Sequence, residues 1–454
     1  MGGITRVLIA NRGEIAVRII RACKELGIET VVTVSEADRD SLPARLADRA
    51  VCIGPPKARD SYLKMEALLA AALGTKSTAI HPGYGFLAEQ PELADACRRH
   101  GIVFIGPSPD NLRDMGNKLL ARQMVAAMGI PIIPGSEKVR DVGEAMTASE
   151  KIGFPILLKA SAGGGGRGIV IVRKPRDLRT VFDMVSAEVQ AAFGDGTLFV
   201  EKFIPNARHV EIQVLADLFG NVVHLGERDC SIQRRYQKVI EEAPSPAVSP
   251  EMREQMARAA VTIAHDIHYE NLGTVEFLLD QDKGKFYFLE MNTRIQVEHP
   301  VTEAISGVDL VQEQIRIADR EPLSLNQEQV SLLGHAIECR INAENADLGF
   351  RPCPGLIRTW EPPKDHKARV DSHCYSGYTV PPHYDSLLAK LITSGNSRQE
   401  AIEHMVNALR DFTVVGVDTT IPFLASVVQH ADFKTGKTHT RWLEEVITQK
   451  DSER

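Results

Sequence analysis

No cysteine pair in this sequence has C-x-x-C spacing. The seven cysteines, Cys23, Cys52, Cys97, Cys230, Cys339, Cys353 and Cys374, are odd in number and scattered over 454 residues. Neither a disulfide framework nor a zinc site is indicated, and reduced, mostly buried thiols are expected. No stretch approaches the roughly 18 to 20 apolar residues that cross a bilayer. The N-terminus, Met1 to Arg6, leads straight into strand-like sequence without the apolar core of a secretory leader. No membrane association is therefore expected, and the location should be cytoplasmic. No Lys/Arg block is present, and 53 Lys+Arg against 60 Asp+Glu leave a net charge of −7, which argues against a nucleic-acid partner. Internal repeats and low-complexity tracts are also missing. With 43% hydrophobic and 25% charged residues the composition is that of a soluble globular chain, which excludes disorder, collagen-like repeats and coiled coil. The length predicts about three domains of roughly 150 residues.

The periodicity predicts a strand over Arg6 to Asn11, then a helix over Gly13 to Leu26 with Ile15, Ile19, Ile20 and Cys23 on one stripe, then a strand over Glu29 to Val34. Strands at Thr78 to His81 and Ile102 to Ile105 alternate with helices at Ser61 to Leu73 and Pro91 to His100, which makes an N-terminal open-sheet α/β domain. This start lacks G-x-G-x-x-G, so a dinucleotide enzyme is disfavoured. A helix from Lys118 follows. Pro155 to Lys159 and Ile169 to Arg173 read as strands flanking Gly163-Gly164-Gly165-Gly166-Arg167-Gly168, a hairpin lid whose glycine amides can approach an anion. It is not a P-loop, since G-x-x-x-x-G-K-[ST] is absent, but Lys159 at the strand end places an ammonium beside those amides. Phe199 to Asn292 is strand-rich, and a last region from His335 to Leu443 carries Pro- and Gly-rich loops and a terminal α/β pattern.

Side chains alternate across a strand, so Glu290 and Asn292 share a face, and Glu276 on the partner strand of a hairpin over Gly273 to Asn292 can join them. Two carboxylates and an amide among apolar neighbours are costly to bury without a cation. Such hard oxygen donors suit Mg²⁺ or Mn²⁺. The polar loop Thr293 to Pro300 follows, before a helix near Asp309, with Glu298 placed to act as a general base and Arg294 as an anion clamp. His299, before Pro300, reads as a loop-ordering residue. The cluster Arg228 to Lys238 reads either as a basic surface strand or as a local anion site. By physics alone His209, Glu211 and the pair Glu201-Lys202 stay ambiguous.

Five ordered motifs now converge: Ile9 to Ala16, His81 to Leu87, the loop Gly163 to Gly168, Glu290 to His299, and Gly334 to Asn342. Together, and over nearly the whole chain from about Arg6 to about Leu443, they resemble the biotin carboxylases of the ATP-grasp superfamily. The resemblance implies an N-terminal open-sheet, Rossmann-like domain over 1–116, an ATP-grasp domain over 117–334 with a glycine-loop lid at about 131–204, and a C-terminal biotin carboxylase domain over 335–446. It implies ATP- and bicarbonate-dependent carboxylation of biotin N1′ through carboxyphosphate. Lys118, Lys159, Gly165, Gly166 and His209 would contact ATP, with Gln233 and Tyr236 also beside the nucleotide and Glu201, Lys202, Phe203 and Ile204 as adenine hinge. Glu276, Glu290 and Asn292 would hold Mg²⁺ or Mn²⁺. Lys238, Arg294, Gln296 and Val297 would seat bicarbonate, Glu298 would deprotonate it, and Arg340 would stabilise the ureido oxygen of biotin.

Three positions depart from the family pattern: Tyr236 stands where His is usual, Ile169 where Met is usual, and Asn345 where Asp is common. The only candidate for a biotinylated Met-Lys-Met is the poor match Leu63-Lys64-Met65 in an expected helix, and the chain stops at Arg454. Biotin is therefore expected on a separate biotin carboxyl carrier protein, with a separate carboxyltransferase as further partner, and the family implies a homodimer. The rival readings are another ATP-grasp ligase passing an acyl phosphate to an amine, and a non-catalytic nucleotide-binding module.

Overall fold

The computed structural model describes residues 3–160, 169–193, 196–365 and 367–453. Its N-terminal sheet is parallel: β1 (Arg6–Ile9), β2 (Glu29–Val34), β3 (Arg49–Cys52), β4 (Ala79–His81) and β5 (Val103–Phe104) lie in the order β3-β2-β1-β4-β5. The Gly13–Glu25 helix buries the expected stripe, with Ile15, Ile19, Ile20 and Cys23 no more than 1% exposed. Strand β3 is not expected from the sequence. Its residues are largely exposed, so it lacks the alternation that marks a half-buried strand, and only main-chain pairing with β2 defines it. The helix expected from Ser61 begins at Met65, because a 3₁₀ turn over Ala58–Asp60 precedes it; Lys64 is its N-cap residue and lies outside the helix.

In such an order the strand sequence reverses between β1 and β4, the usual place for a ligand crevice. Here protein fills that crevice. Asn11 Nδ2 donates to Pro82 O at 2.8 Å and Tyr84 O at 2.7 Å, and a Cβ on Gly83 (φ +63°) would lie 2.9 Å from that same nitrogen.

A second sheet of four strands, β6 (Gly135–Val139), β7 (Ile156–Ala160), β8 (Ile169–Val172) and β9 (Leu198–Lys202), has the order β6-β9-β7-β8. Strands β7 and β8 pair antiparallel, Lys159 opposite Ile169, as a hairpin requires. The expected lid loop, with Gly165 and Gly166, lies outside the described residues.

The third sheet is the largest. It comprises β10 (Ala207–Ala216), β11 (Val222–Arg234), β12 (Gln237–Ala243), β13 (Asn271–Asp280), β14 (Lys285–Asn292), β15 (His335–Asn342), β16 (Ala368–Ser372) and β17 (Leu387–Gly395), ordered β14-β13-β10-β11-β12-β15-β17-β16 and antiparallel throughout. It runs unbroken from the central region into the C-terminal one. The Pro250–Asp266 helix, capped by Ser249, packs Met256, Ala260 and Ile263 onto Val210, Ile212 and Val214 of this sheet. Phe277 sits edge-on to Phe286 and Phe288, with ring centroids 5.3 and 6.5 Å apart, which stiffens the β13–β14 hairpin by about 1 kcal/mol per pair beyond area burial.

Five cysteines are buried, Cys353 is half-buried and Cys52 exposed, and all seven are free thiols. Among the described residues no helix is long and apolar enough to cross a membrane.

Candidate active site

A cavity of about 880 Å³ opens between the four-stranded sheet and the face of the eight-stranded sheet. The four-stranded sheet contributes Lys159 and Lys202, followed by Phe203 and Ile204. The eight-stranded sheet contributes His209, Gln233, Lys238, Glu276, Glu290, Asn292 and Arg340, with Tyr236 at the β11–β12 turn, and Lys118 enters from the start of its helix. The loop after β14 adds Arg294, Gln296, Val297 and Glu298. The fold thus brings the proposed residues to one cavity, apart from Gly165 and Gly166, which are outside the described residues, and Glu201.

Glu201 stands behind the wall. It is 6% exposed and paired with Arg122 at 2.5 Å and with Lys159. Its neighbour Lys202 turns its ammonium to Gly153 O and Phe154 O, at 2.8 and 3.2 Å. Both charged hinge side chains are therefore engaged by protein.

The register places Glu276 directly opposite Glu290, and Thr274 opposite Asn292, as strand alternation requires. Facing acids need cations nearby. Lys118 Nζ lies 2.9 Å from Glu290, while Lys238 Nζ and His209 Nε2 each lie 2.9 Å from Glu276. Burial alone would raise the pKa of Glu276, but Lys238 and His209 reverse this and hold it well below the usual carboxylate range.

Lys238 is the hub of the site. Its ammonium lies 2.5 Å from Glu298, 2.6 Å from Glu211 and 2.9 Å from Glu276. Among the described residues two clusters have the spacing of metal ligands, His209-Glu211-Glu276 and Glu211-Cys230-Glu298. Lys238 already bonds carboxylates of both. Glu276, Glu290 and Asn292 offer the hard oxygen donors that fit Mg²⁺ or Mn²⁺: Glu276 stands opposite Glu290, Glu290 is a third exposed toward the cavity, and Asn292 Oδ1, which accepts from Arg294, keeps a second lone pair.

Glu298 is the N-cap residue of the His299–Ser306 helix, where the sequence predicts continued loop, and it is 2% exposed. Its other oxygen accepts from Arg340 Nη2 at 2.9 Å, and Arg340 Nε is held by Glu241 at 2.6 Å. Burial would raise the pKa of Glu298; Lys238, Arg340 and Arg228 outweigh that and keep it ionised, far below the ordinary value. Burial pushes Glu241 up to about 7, against the pull of Arg340. Arg294 bonds Glu89 at 3.1 Å and Asn292 Oδ1 at 2.8 Å. His299 orders the loop, as expected, with Nδ1 2.8 Å from Gln296 O.

Arg228 corrects one expectation. The reading of its cluster as a basic surface strand fails for Arg228 to Gln233, which are buried on a strand interior to the sheet, Arg228 being 0% exposed, while Arg235 to Gln237 at the turn are exposed. Its guanidinium donates to Glu211, Gln213, Thr302, Thr274 and Gln296, which fixes Gln296 against Glu276. Glu241 is not among the residues expected in the site, Glu211 stays ambiguous in the sequence, and Arg228 is read there only within a cluster that could be an anion site. The sequence signal for Glu241 is an ionisable side chain inside an apolar strand.

A small antiparallel sheet set across a cation-lined cavity from a larger sheet bearing opposed acids defines an enzyme of the ATP-grasp class. Comparison with known proteins narrows this. Residues 3–112 match the biotin carboxylase N-terminal domain, 117–326 the carbamoyl-phosphate synthase L chain ATP-binding domain, and 338–445 the biotin carboxylase C-terminal domain. The chain is 52% identical to biotin carboxylase 1 of Bacillus subtilis over 97% of its own length and 98% of that protein's. It is 49% identical to a pyruvate carboxylase subunit of Methanothermobacter thermautotrophicus, over 97% and 90%. The biotin carboxylase domain dimer of Hydrogenobacter thermophilus 2-oxoglutarate carboxylase, solved with MgADP, ADP and bicarbonate, superposes with a TM-score of 0.94 at 48% identity, covering 98% of each chain. The chain belongs to the biotin carboxylase family, whose members are ATP-dependent carboxylating ligases.

Proposed function

We propose that this enzyme carboxylates biotin N1′ on a separate biotin carboxyl carrier protein, using ATP and bicarbonate, as the first half-reaction of a multi-subunit acyl-CoA carboxylase, most simply one acting on acetyl-CoA, or of a pyruvate carboxylase. The observation that carries this reading is the chain Lys238, Glu298, Arg340 on one cavity wall, a carboxylate held ionised between two cations. Bicarbonate is a poor nucleophile until deprotonated, and a buried carboxylate within reach supplies the base. One Glu298 oxygen accepts from Lys238 and the other from Arg340, and a carboxylate oxygen carries a further lone pair that can take the bicarbonate proton. Lys238, Arg294, Gln296 and Val297 seat the bicarbonate. Its oxygen then bonds to the γ-phosphorus as the β–γ bridge breaks, forming carboxyphosphate and ADP.

Lys118, Lys159 and His209, together with Gly165 and Gly166, which lie outside the described residues, would contact the phosphates or ribose of ATP, with Gln233 and Tyr236 beside the nucleotide and Glu201 to Ile204 as adenine hinge. Glu276, Glu290 and Asn292 would hold Mg²⁺ or Mn²⁺, which supplies charge neutralisation for phosphoryl transfer. Arg340 would oppose the ureido oxygen of biotin as negative charge develops there. The domains are taken as 1–116, 117–334 and 335–446, and the working form as a cytoplasmic homodimer partnered by carrier and carboxyltransferase subunits. ATP hydrolysis measured with and without bicarbonate and free biotin tests the reaction: stimulation that requires both is expected, and no response to biotin would overturn it.

A further inference from the structure

Two cations stand directly opposite one another on adjacent strands: Arg340 on β15 and Lys390 on β17. Directly opposed residues project to the same face of a sheet. Arg340 grips the Glu298 carboxylate, and Lys390 donates to the main-chain carbonyl of the preceding residue, Val297, at 2.9 Å. The proposed reaction uses Arg340 and gives Lys390 no task. Yet Lys390 is 0% exposed and among the largest fully buried side chains. A buried ammonium costs several kcal/mol unless it is paired. Its partners come from elsewhere in the chain: Glu14 at 3.1 Å and, more distantly, Asp371 at 3.9 Å.

Glu14 is the telling partner. It lies in the first turn of the Gly13–Glu25 helix, at the point where strand order reverses in the N-terminal sheet, and it is 2% exposed. One oxygen faces Lys390 and the other accepts from the hydroxyl of Tyr84, a residue of the cavity wall. The crevice that protein fills in the N-terminal sheet thus delivers a carboxylate to a lysine of the C-terminal strands, and that lysine holds a peptide of the loop between them.

We propose that Lys390, anchored by Glu14, is a positioning residue that fixes the Val297–Glu298 peptide and so aims Glu298 at its substrate. The N-terminal sheet serves the reaction by bracing the base. This rests on the reading of residues Arg294 to Glu298 as the bicarbonate seat. Loss of the brace lets the loop shift, and a displacement of about 1 Å at a reacting group costs up to about 10²-fold in rate.

The test compares Lys390→Met, which keeps volume and removes the ammonium, with Glu14→Gln, which keeps shape and weakens the anchor. Kinetics of bicarbonate- and biotin-dependent ATP hydrolysis are read with ATP binding and thermal melting. Lys390→Met should lower kcat/KM for bicarbonate about tenfold or more while KM for ATP stays within about twofold, and Glu14→Gln should move the same constant in the same direction by less. A folded Lys390→Met enzyme with unchanged bicarbonate kinetics would overturn the proposal, as would equal losses for ATP and bicarbonate, which mark general loosening. If Lys390→Met does not fold, Glu14→Gln decides by the same criteria. Arg294→Ala separates the two readings: unchanged bicarbonate KM there refutes the seat itself, whereas a raised KM there with an unaffected Lys390→Met refutes only the brace.

Discussion

The ammonium of Lys238 lies 2.5 Å from the Glu298 carboxylate and simultaneously bonds Glu211 and Glu276. One cation therefore balances the proposed base, a proposed metal ligand and a structural acid that is itself tied to Arg228. Among the described residues Lys238 is the one cation shared by all three acids, each of which has a further partner in Arg340, His209 or Arg228, and charge changes at Lys238 are predicted to have effects well beyond those of an ordinary surface pair.

Lys238→Met should remove activity and also destabilise the fold. Removing one partner of a buried ion pair costs about 3–5 kcal/mol, because the remaining charges are left uncompensated. Denaturant titration of the variant checks this; a loss below about 1 kcal/mol would mean the three carboxylates find other partners.

Glu298→Gln and Arg340→Ala should each reduce biotin-dependent turnover by about 10²-fold or more, the usual range for a lost general base or fixed transition-state charge. ATP affinity should largely persist, since neither residue is assigned to the nucleotide. Equilibrium ATP binding by both variants checks this, and its loss in both would refute the assignments.

Tyr236, expected from the family resemblance to stand in place of His, lies at the tip of the β11–β12 turn with φ +64° and 52% exposed. A phenol can donate a hydrogen bond as an imidazole can. Tyr236→His is predicted to change KM for ATP by about two- to fivefold, the worth of one partly exposed hydrogen bond. An unchanged KM would place the side chain outside the nucleotide contact shell.

Much of this site is legible in the sequence because its chemistry repeats with the period of its strands. Glu276, Glu290 and Asn292 share a face for the same reason any alternating residues do, and the register bears this out. The stripe Ile15, Ile19, Ile20 and Cys23 is equally plain. Strand β3 is not, since an exposed edge strand has no burial pattern to display. The His299–Ser306 helix is hidden by Pro300, which suggests an end to regular structure although a proline in the first turn of a helix leaves its hydrogen bonds intact. Burial of Arg228 and the bond from Lys390 to Val297 depend on which strands become neighbours, and local periodicity carries no such information.

Buried neutral histidines give the molecule a calculable acid lability. His81 and His373 are 0% and 3% exposed, and burial, with Arg18 near the first and Arg12 near the second, pushes each down to about 3 from an ordinary 6.5. Between pH 6.5 and 3 the unfolded chain binds these protons and the folded chain does not. Their stabilising contribution is therefore complete above pH 6.5 and is lost as pH falls through that window, by about 1.4 kcal/mol per histidine for each pH unit. Glu241, raised to about 7, acts with the opposite sign: the folded state takes up its proton first, so its contribution grows as pH falls from 7 toward 4.5. The total slope mixes these effects, and the difference between parent and variant separates them. His373→Phe retains a ring against Tyr378, which the imidazole meets edge-on at 5.3 Å. Its stability relative to the parent should rise by about 1 kcal/mol between pH 6.5, where the unfolded imidazole is half protonated, and pH 5.5, measured by denaturant titration at both values. A difference that does not change with pH would mean that His373 is protonated in the folded protein.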